Sequence, residues 1–140
     1  MKILRSVLFV FAALLLTTAA KAQQTNVKAD IPFNFFAGGH LYPAGEYWLK
    51  SMPTTDAIIH IGGVDDNGTQ ILLSNACSDT TYAKESKLVF RHVGDNYFLY
   101  QVWTAGYGQG REFSRGRAET MLARNHENTE VVIVAANITK

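Results

Sequence analysis

From Val27 to Ile138 the apolar residues recur mostly at every second position, in short runs cut by glycine, proline and asparagine. A period of two sends successive side chains to opposite faces of a strand, so the pattern specifies sheets that bury one face. Val27, Ala29, Ile31, Phe33 and Phe35 alternate in this way with Lys28, Asp30, Pro32 and Asn34. Pro32 has no N–H to give to a ladder, which predicts an edge strand or a bulge there. Gly38-Gly39 breaks this first run. Tyr42-Pro43-Ala44-Gly45 has the proline and glycine of a turn and leads into a second strand, Glu46 to Met52.

Two hairpins are predicted in the middle of the chain. Ala57 to Val64 and Thr69 to Asn75 flank Asp65-Asp66-Asn67-Gly68, where Asn-Gly favours the positive φ of a tight turn. After a polar stretch from Ser78 to Ser86, Lys87 to Val93 and Tyr97 to Trp103 flank Gly94-Asp95-Asn96. Strict alternation puts Leu88, Phe90 and His92 on one face and Val89, Arg91 and Val93 on the other. It likewise sets Phe98, Tyr100 and Val102 against Tyr97, Leu99, Gln101 and Trp103. Apolar residues on both faces predict a central position for these two strands.

Only one segment has helical spacing. Ser114 is placed to cap a short helix reaching about Arg124, with Ala118, Met121 and Leu122 along one side. Asn125 to Asn128 then turns into a last strand, Thr129 to Ile138, apolar on both faces at Val131 to Val134. About seven strands and one short helix before the last of them give an all-β expectation, an antiparallel β-sandwich or a small barrel. Cys77 is the only cysteine, so no intramolecular disulfide supports that fold.

The N-terminus reads as an export signal. Lys2 and Arg5 precede the apolar run from Ser6 to Leu16, and Ala20-Lys21-Ala22 offers small residues to a signal peptidase, with cleavage expected between Ala22 and Gln23. The run is well short of the roughly 20 residues of a membrane-spanning helix, so no stable anchor is expected after processing. No cysteine lies near the cleavage site to carry a lipid. Lys2, Arg5 and Lys21 leave with residues 1–22, and the 13 basic residues against 12 acidic become 10 against 12 in a single domain, 23–140. That weakly acidic balance, without any run of like charge, gives no footprint for nucleic acid or anionic lipid.

Three blocks carry a resemblance. Phe33-Asn34-Phe35-Phe36-Ala37-Gly38 with Pro43-Ala44-Gly45-Glu46-Tyr47 is the first. Lys87-Leu88-Val89-Phe90-Arg91 with Gly94-Asp95-Asn96-Tyr97-Phe98-Leu99 and Val102-Trp103 is the second. Gly110-Arg111-Glu112 with Arg117-Ala118-Glu119 is the third. Together they resemble a functionally uncharacterised family of small exported bacterial β-domain proteins. The chain departs from that pattern at Tyr42, where leucine is expected, and at Phe113-Ser114, where leucine-proline is usual. The resemblance implies an exported β-domain and carries over no catalytic residue.

Chemistry-bearing residues are sparse. His40, His60, His92 and His126 are too far apart in sequence to pre-form a metal site, and only the fold could gather two of them around copper or zinc. No nucleophile elbow is present, and Asp65-Asp66 reads as turn chemistry rather than a calcium loop. Gly106 to Gly110 lacks the lysine of a phosphate loop and reads as a flexible linker. Cys77 has no basic neighbour in sequence to activate it. Arg111, Arg115, Arg117 and Arg124 form a cluster with Glu112 and Glu119. Arg111, Arg115 and Arg117 are therefore a candidate surface for an anion or acidic glycan, against the expectation that they dock the helix by ion pairing.

The residues imply no cofactor, no metal and no catalytic site. The expected function is a non-enzymatic β-domain in the cell envelope or extracellular space, with a structural or partner-binding role and a partner that the sequence does not name. The alternatives are a small secreted hydrolase or metal-dependent enzyme, or a carbohydrate-binding module using its many aromatic rings. Processing is directly measurable: N-terminal sequencing of the exported form should begin at Gln23, and intact Met1 protein in the membrane fraction would overturn that expectation.

Overall fold

A computed structural model of the chain describes residues 24–65, 68–79, 81, 83–126 and 128–139. The expected cleavage site at Ala22 and Gln23 lies outside the described residues, as do Asp66 and Asn67 of the first expected hairpin turn. The strands are β1 (Asn26–Ile31), β2 (Phe35–Ala37), β3 (His40–Tyr42), β4 (Gly45–Met52), β5 (Thr55–Gly63), β6 (Thr69–Leu73) and β7 (Asn75–Ser78). They continue with β8 (Lys87–Val93), β9 (Asn96–Trp103) and β10 (Gln109–Glu112), then helix α1 (Arg117–Asn125), β11 (Thr129–Ala135) and β12 (Asn137–Ile138). The first sheet has the order β12-β1-β4-β5-β6. The second runs β11-β8-β9-β10-β7, with β2 added to β9 and β3 to β2. The molecule is an all-β sandwich and not a closed barrel; β2 with β9 is the one parallel pairing among the described strands.

Twelve described strands stand where seven runs were read, because several runs change sheets midway. The run from Val27 to Phe35 ends its first strand at Ile31, and across Pro32 the chain passes from the first sheet to the second. Pro32 thus marks a corner instead of an edge strand. β1 lies inside its sheet, although β12 covers it over only the Val27–Ile138 and Lys28–Asn137 pairs. The run from Thr69 breaks at Ser74, leaving β6 in the first sheet and β7 in the second. The last run breaks at Ala136, leaving β11 in the second sheet and β12 in the first. Strands that switch sheets in this way join the two layers covalently at their corners.

Two further strands were missed. Gly38 (φ +57°) and Gly39 (φ +84°) form the two-residue loop of a β2–β3 hairpin in which Ala37 faces His40. Both glycines take the positive φ of a type I′ turn. Gln109–Glu112, within and after the glycine-rich segment, is β10 and pairs with both β7 and β9. Its Gly110 is required by packing: a Cβ there would lie 2.7 Å from the Trp103 ring.

The core lies between the inner faces. Val27, Ile31, Leu49, Ile59 and Ile61 from the first sheet meet Phe35, Leu88, Phe90, Leu99 and Val102 from the second. Aromatic rings occupy its centre. Phe35 and Phe90 are both fully buried and meet edge to face with centroids 5.5 Å apart, and Tyr47 approaches Phe35 at 5.1 Å from the opposite sheet.

β8 and β9 sit centrally, as their two apolar faces require. A bulge changes which residues of β9 point inward. Val89 pairs with Gln101 but Phe90 pairs with Leu99, so Tyr100 is an extra residue and the alternation slips by one. Leu99 and Val102 consequently share the core side, whereas strict alternation separates them.

The β8–β9 loop is a two-residue turn, Gly94-Asp95, with Val93 facing Asn96. Gly94 has φ +60° while no non-glycine residue among those described has positive φ, which is the arrangement of a type II′ turn. A Cβ at Gly94 would also sit 3.0 Å from His126 Nε2. Gly94→Val should therefore destabilise the domain by about 1 kcal/mol or more through backbone strain and crowding of that ring. A thermal melt unchanged from wild type would show that neither constraint holds.

Candidate functional site

Helix α1 is placed by an ion pair and not by an apolar stripe. Its N-cap is Gly116 rather than Ser114, without a side-chain cap; instead the Thr120 N–H and hydroxyl both donate to the Gly116 carbonyl at 3.0 Å. Met121 is 56% exposed, and the residue the helix buries is Glu119. The Glu119 carboxylate faces the Arg91 guanidinium of β8 in a bidentate pair: Arg91 Nη2 donates to Oε2 at 3.0 Å, and Nε meets Oε1. Both residues are buried, and the guanidinium also lies over the Tyr100 ring, 4.1 Å from its centroid. The fork geometry and the ring compensate for much of the dehydration of the two charges.

The arginine cluster divides around this pair. Arg115 approaches Glu119 at 3.7 Å from the solvent side. Arg111 instead binds the corner where β6 becomes β7, donating from Nε to Ser74 Oγ and from Nη2 to the Ser74 carbonyl, each at 3.1 Å. Ser74 in turn holds the Ala57 carbonyl through its N–H at 2.8 Å and its hydroxyl at 3.0 Å. Arg117 is exposed and forms no ion pair among the described residues. The arginine that buries an acid is thus Arg91, outside the cluster. The signal that could have found it is a lone arginine inside an apolar run, because a strand buried on both faces must neutralise it.

Elsewhere the fold gathers two histidines. His92 and His126 border one cleft with Asn125, Asn128 and Glu130, and His92 Nδ1 is 3.5 Å from the Glu130 carboxylate. His126 Nδ1 is 3.0 Å from the Leu122 carbonyl. No three His, Cys, Asp or Glu side chains among the described residues are grouped as ligands of a metal ion. His40 borders a different cleft, and His60 is a half-buried residue of β5. Cys77, on β7, is half-buried; burial and then the Glu112 carboxylate push its thiol pKa up, the opposite of what activates a nucleophile.

The tryptophans are engaged with the protein. Trp103 is buried against Gly110, and its indole N–H donates to Gln101 Oε1 at 3.1 Å while Gln101 donates to Glu112 at 3.0 Å. Trp48 is half-buried against Gly62, with the Lys50 ammonium 5.5 Å from the ring centroid.

Apolar side chains without such cover stand on β6, as they also do at Leu41 of β3 and at Val131 and Ile133 of β11. Five residues long, β6 pairs with β5 from Gly62–Thr69 to Ile58–Leu73 and is one of the two terminal strands of the first sheet, β12 being the other. Leu72 points into the core, whereas Ile71 and Leu73 on the outer face are 63% and 76% exposed. A groove of about 460 Å³ borders the strand, lined by Gly38, Ile71, Leu72, Leu73, Phe113 and Ser114, and also by Ser74 and Asn75. None of these side chains is ionisable. Three consecutive apolar residues, Ile71 to Leu73, were the sequence signal: they require either burial on both faces or one face left apolar in solvent.

Comparison of the chain with protein-family models, curated proteins and solved structures finds no match in any of the three. No helix among the described residues is long and apolar enough to cross a membrane.

The helix anchor is testable separately from any ligand. Glu119→Ala or Arg91→Ala leaves the other charge buried and should cost about 3–5 kcal/mol of unfolding free energy. Arg91→Met combined with Glu119→Leu should cost less than either single change, because no charge is then stranded. If the double variant instead loses as much as the sum of Arg91→Met and Glu119→Leu measured singly by denaturant unfolding, the two groups do not act as a pair.

Proposed function

We propose that this chain is an exported, non-enzymatic β-sandwich that holds a protein partner in the cell envelope or extracellular space, with the outer edge of β6 as its binding element. The observation that carries this reading is the exposure of Ile71 and Leu73 on an uncharged terminal strand beside a groove of mixed apolar and uncharged polar lining. A terminal strand offers a row of unpaired backbone N–H and C=O groups, and an extended segment laid beside it completes the ladder. Main-chain hydrogen bonds would supply affinity, while Ile71, Leu73 and the groove would select apolar side chains at alternate positions of the bound segment.

The export signal at residues 1–22 and the resemblance to small exported bacterial β-domains support the location. The reading needs neither a cofactor nor a metal. Its test compares wild-type chain with Leu73→Lys as bait against the extracytoplasmic fraction of the host. Leu73 is exposed, so the substitution should leave the melt unchanged. A binding species recovered by wild type and reduced at least tenfold by the variant is the expected result. Equal recovery by both would remove β6 from the binding surface.

A further inference from the structure

We propose that the outer face of the first sheet binds uncharged oligosaccharides, with the Trp48 indole as the platform on which one sugar ring stacks. This site goes beyond the β6 edge, because its ring stands on β4 and would act whether or not β6 holds a partner.

Register places the parts. Trp48 stands opposite Lys28 of β1 on one side and Gly62 of β5 on the other; Lys28 in turn faces Asn137 of β12, and Gly62 faces Thr69 of β6. Paired residues of an antiparallel sheet project from the same face. Leu49 and Ile61, the chain neighbours of Trp48 and Gly62, are fully buried, so the face that carries Trp48 is turned away from the core. A single row thus crosses all five strands with one ring in it and polar side chains at both ends. From Lys28 to Thr69 it measures about 14 Å, three strand spacings and the scale of a short oligosaccharide.

The two tryptophans differ in what they leave free. A Cβ at Gly62 would stand 2.4 Å from Trp48 Cζ2 and 2.7 Å from Cε2, so the indole lies against the bare backbone of β5. Trp103 packs on Gly110 in the same manner, but it is 6% exposed and its N–H donates to Gln101. Trp48 is only half-buried, and its N–H has no acceptor among the described residues. The side chains of Thr69 and Asn137 are exposed and likewise form no hydrogen bond among the described residues. Covering a glycine accounts for Trp103; at Trp48 it leaves part of a ring and a donor unused.

Chemistry selects the ligand. A pyranose with equatorial hydroxyls presents flat faces of axial C–H groups to an indole, and its rim both donates and accepts hydrogen bonds. The sheet face matches that rim. Lys28 and Glu46, 2.7 Å apart and both reaching solvent, offer a donor and an acceptor beside the ring. The Lys50 ammonium, 5.5 Å from the indole centroid on an exposed side chain, can swing from the ring to a hydroxyl of a stacked sugar. His60, opposite Lys50, adds an Nε2 that is enclosed without a hydrogen-bond partner among the described residues.

The charges of this face balance. Lys28 and Lys50 are matched by Asp30 and Glu46, which face each other across β1 and β4. An acidic glycan would meet repulsion as well as attraction, and an apolar partner would dehydrate the Lys28–Glu46 pair without replacing its water. An uncharged polyhydroxylated ring does neither. The exposed apolar residues of β6, Ile71 and Leu73, stand one and two rows from Trp48, so they bound the platform without covering it.

The full-length chain, recovered as the host processes it, carries two tryptophans and so gives two indole N–H signals in a proton–nitrogen correlation spectrum. Titration with cellohexaose or chitohexaose, both uncharged and equatorially substituted, should shift the Trp48 signal saturably and leave that of Trp103 in place. A single platform sets the dissociation constant on the order of a millimolar. Trp48→Met keeps apolar cover over Gly62 without a ring face and should weaken binding at least tenfold, whereas Trp48→Phe should retain most of it. If Trp48→Met unfolds, Thr69→Val takes its place and should weaken binding several-fold with an unchanged melt.

No saturable shift with either sugar, or binding indifferent to the ring-removing and hydroxyl-removing variants, overturns the proposal. So does polygalacturonate that binds more tightly than cellohexaose and is released by salt, since the site would then recognise charge. Leu73→Lys should leave sugar binding unchanged, so partner recovery through Leu73 and sugar binding through Trp48 stand or fall separately.

Discussion

The meeting of Phe35 and Phe90 between the two sheets is the contact on which the rest of the sandwich depends. One comes from a three-residue strand appended to β9 and the other from the central β8, and Tyr47 reaches Phe35 from the facing sheet. With a single cysteine, no disulfide can hold these layers. Burial of large rings supplies the attraction, and the edge-to-face geometry adds specificity to it. The short β2 can contribute because Pro32 ends β1 and the chain crosses to the other sheet before Phe35. Covalent crossing and aromatic burial therefore act at the same place: the corner delivers the ring that the core needs.

The outer face of the second sheet obeys a different rule. An apolar helix would have covered it by burying leucines, but α1 turns a glutamate inward onto Arg91. This arrangement is costly to break and contributes modestly to net stability, because two desolvated charges must first be compensated. It does fix orientation. A bidentate fork stacked on Tyr100 admits one angle of approach, and Arg115 completes the carboxylate's surroundings from outside. Arg111 does equivalent work at another corner by holding Ser74, where β6 turns into β7. The arginines thus shape the scaffold's joints, and the apolar β6 surface lies next to one of them.

How much of this was legible in sequence depended on whether the determining interaction was local. The period-two pattern specified an all-β fold, and two-sided apolar runs placed β8 and β9 at the centre of a sheet. Gly94 supplied the turn between them because a positive φ is a local demand. The sheet changes at Ser74 and Ala136 were not legible, since a strand that swaps sheets keeps its alternation. The slip at Tyr100 was hidden for a related reason: an extra residue is visible only against its partner strand. In sequence Glu119 belongs with its neighbours Arg115, Arg117 and Arg124, and nothing near it announces Arg91, 28 residues away. The candidate surface was half legible, with Ile71 to Leu73 marking two apolar faces and only the topology deciding that one faces solvent.

That decision follows from how the corner is built. When β6 turns into β7 at Ser74, the same stretch of chain ends one sheet and begins the edge of the other, so among the described residues no further strand follows β6 in its own sheet. The Arg111 clamp holds the bend that creates this condition. Among the described strands that edge is left without a neighbour, but its chemistry is not fixed by this: lysine at Ile71 or Leu73 would leave the inward Leu72 untouched while blocking strand addition. Two large apolar residues occupy the positions where such protection would be least disruptive to the core. Packing within the monomer does not account for them, because they are exposed; this is the feature on which we base the proposal that a partner covers them.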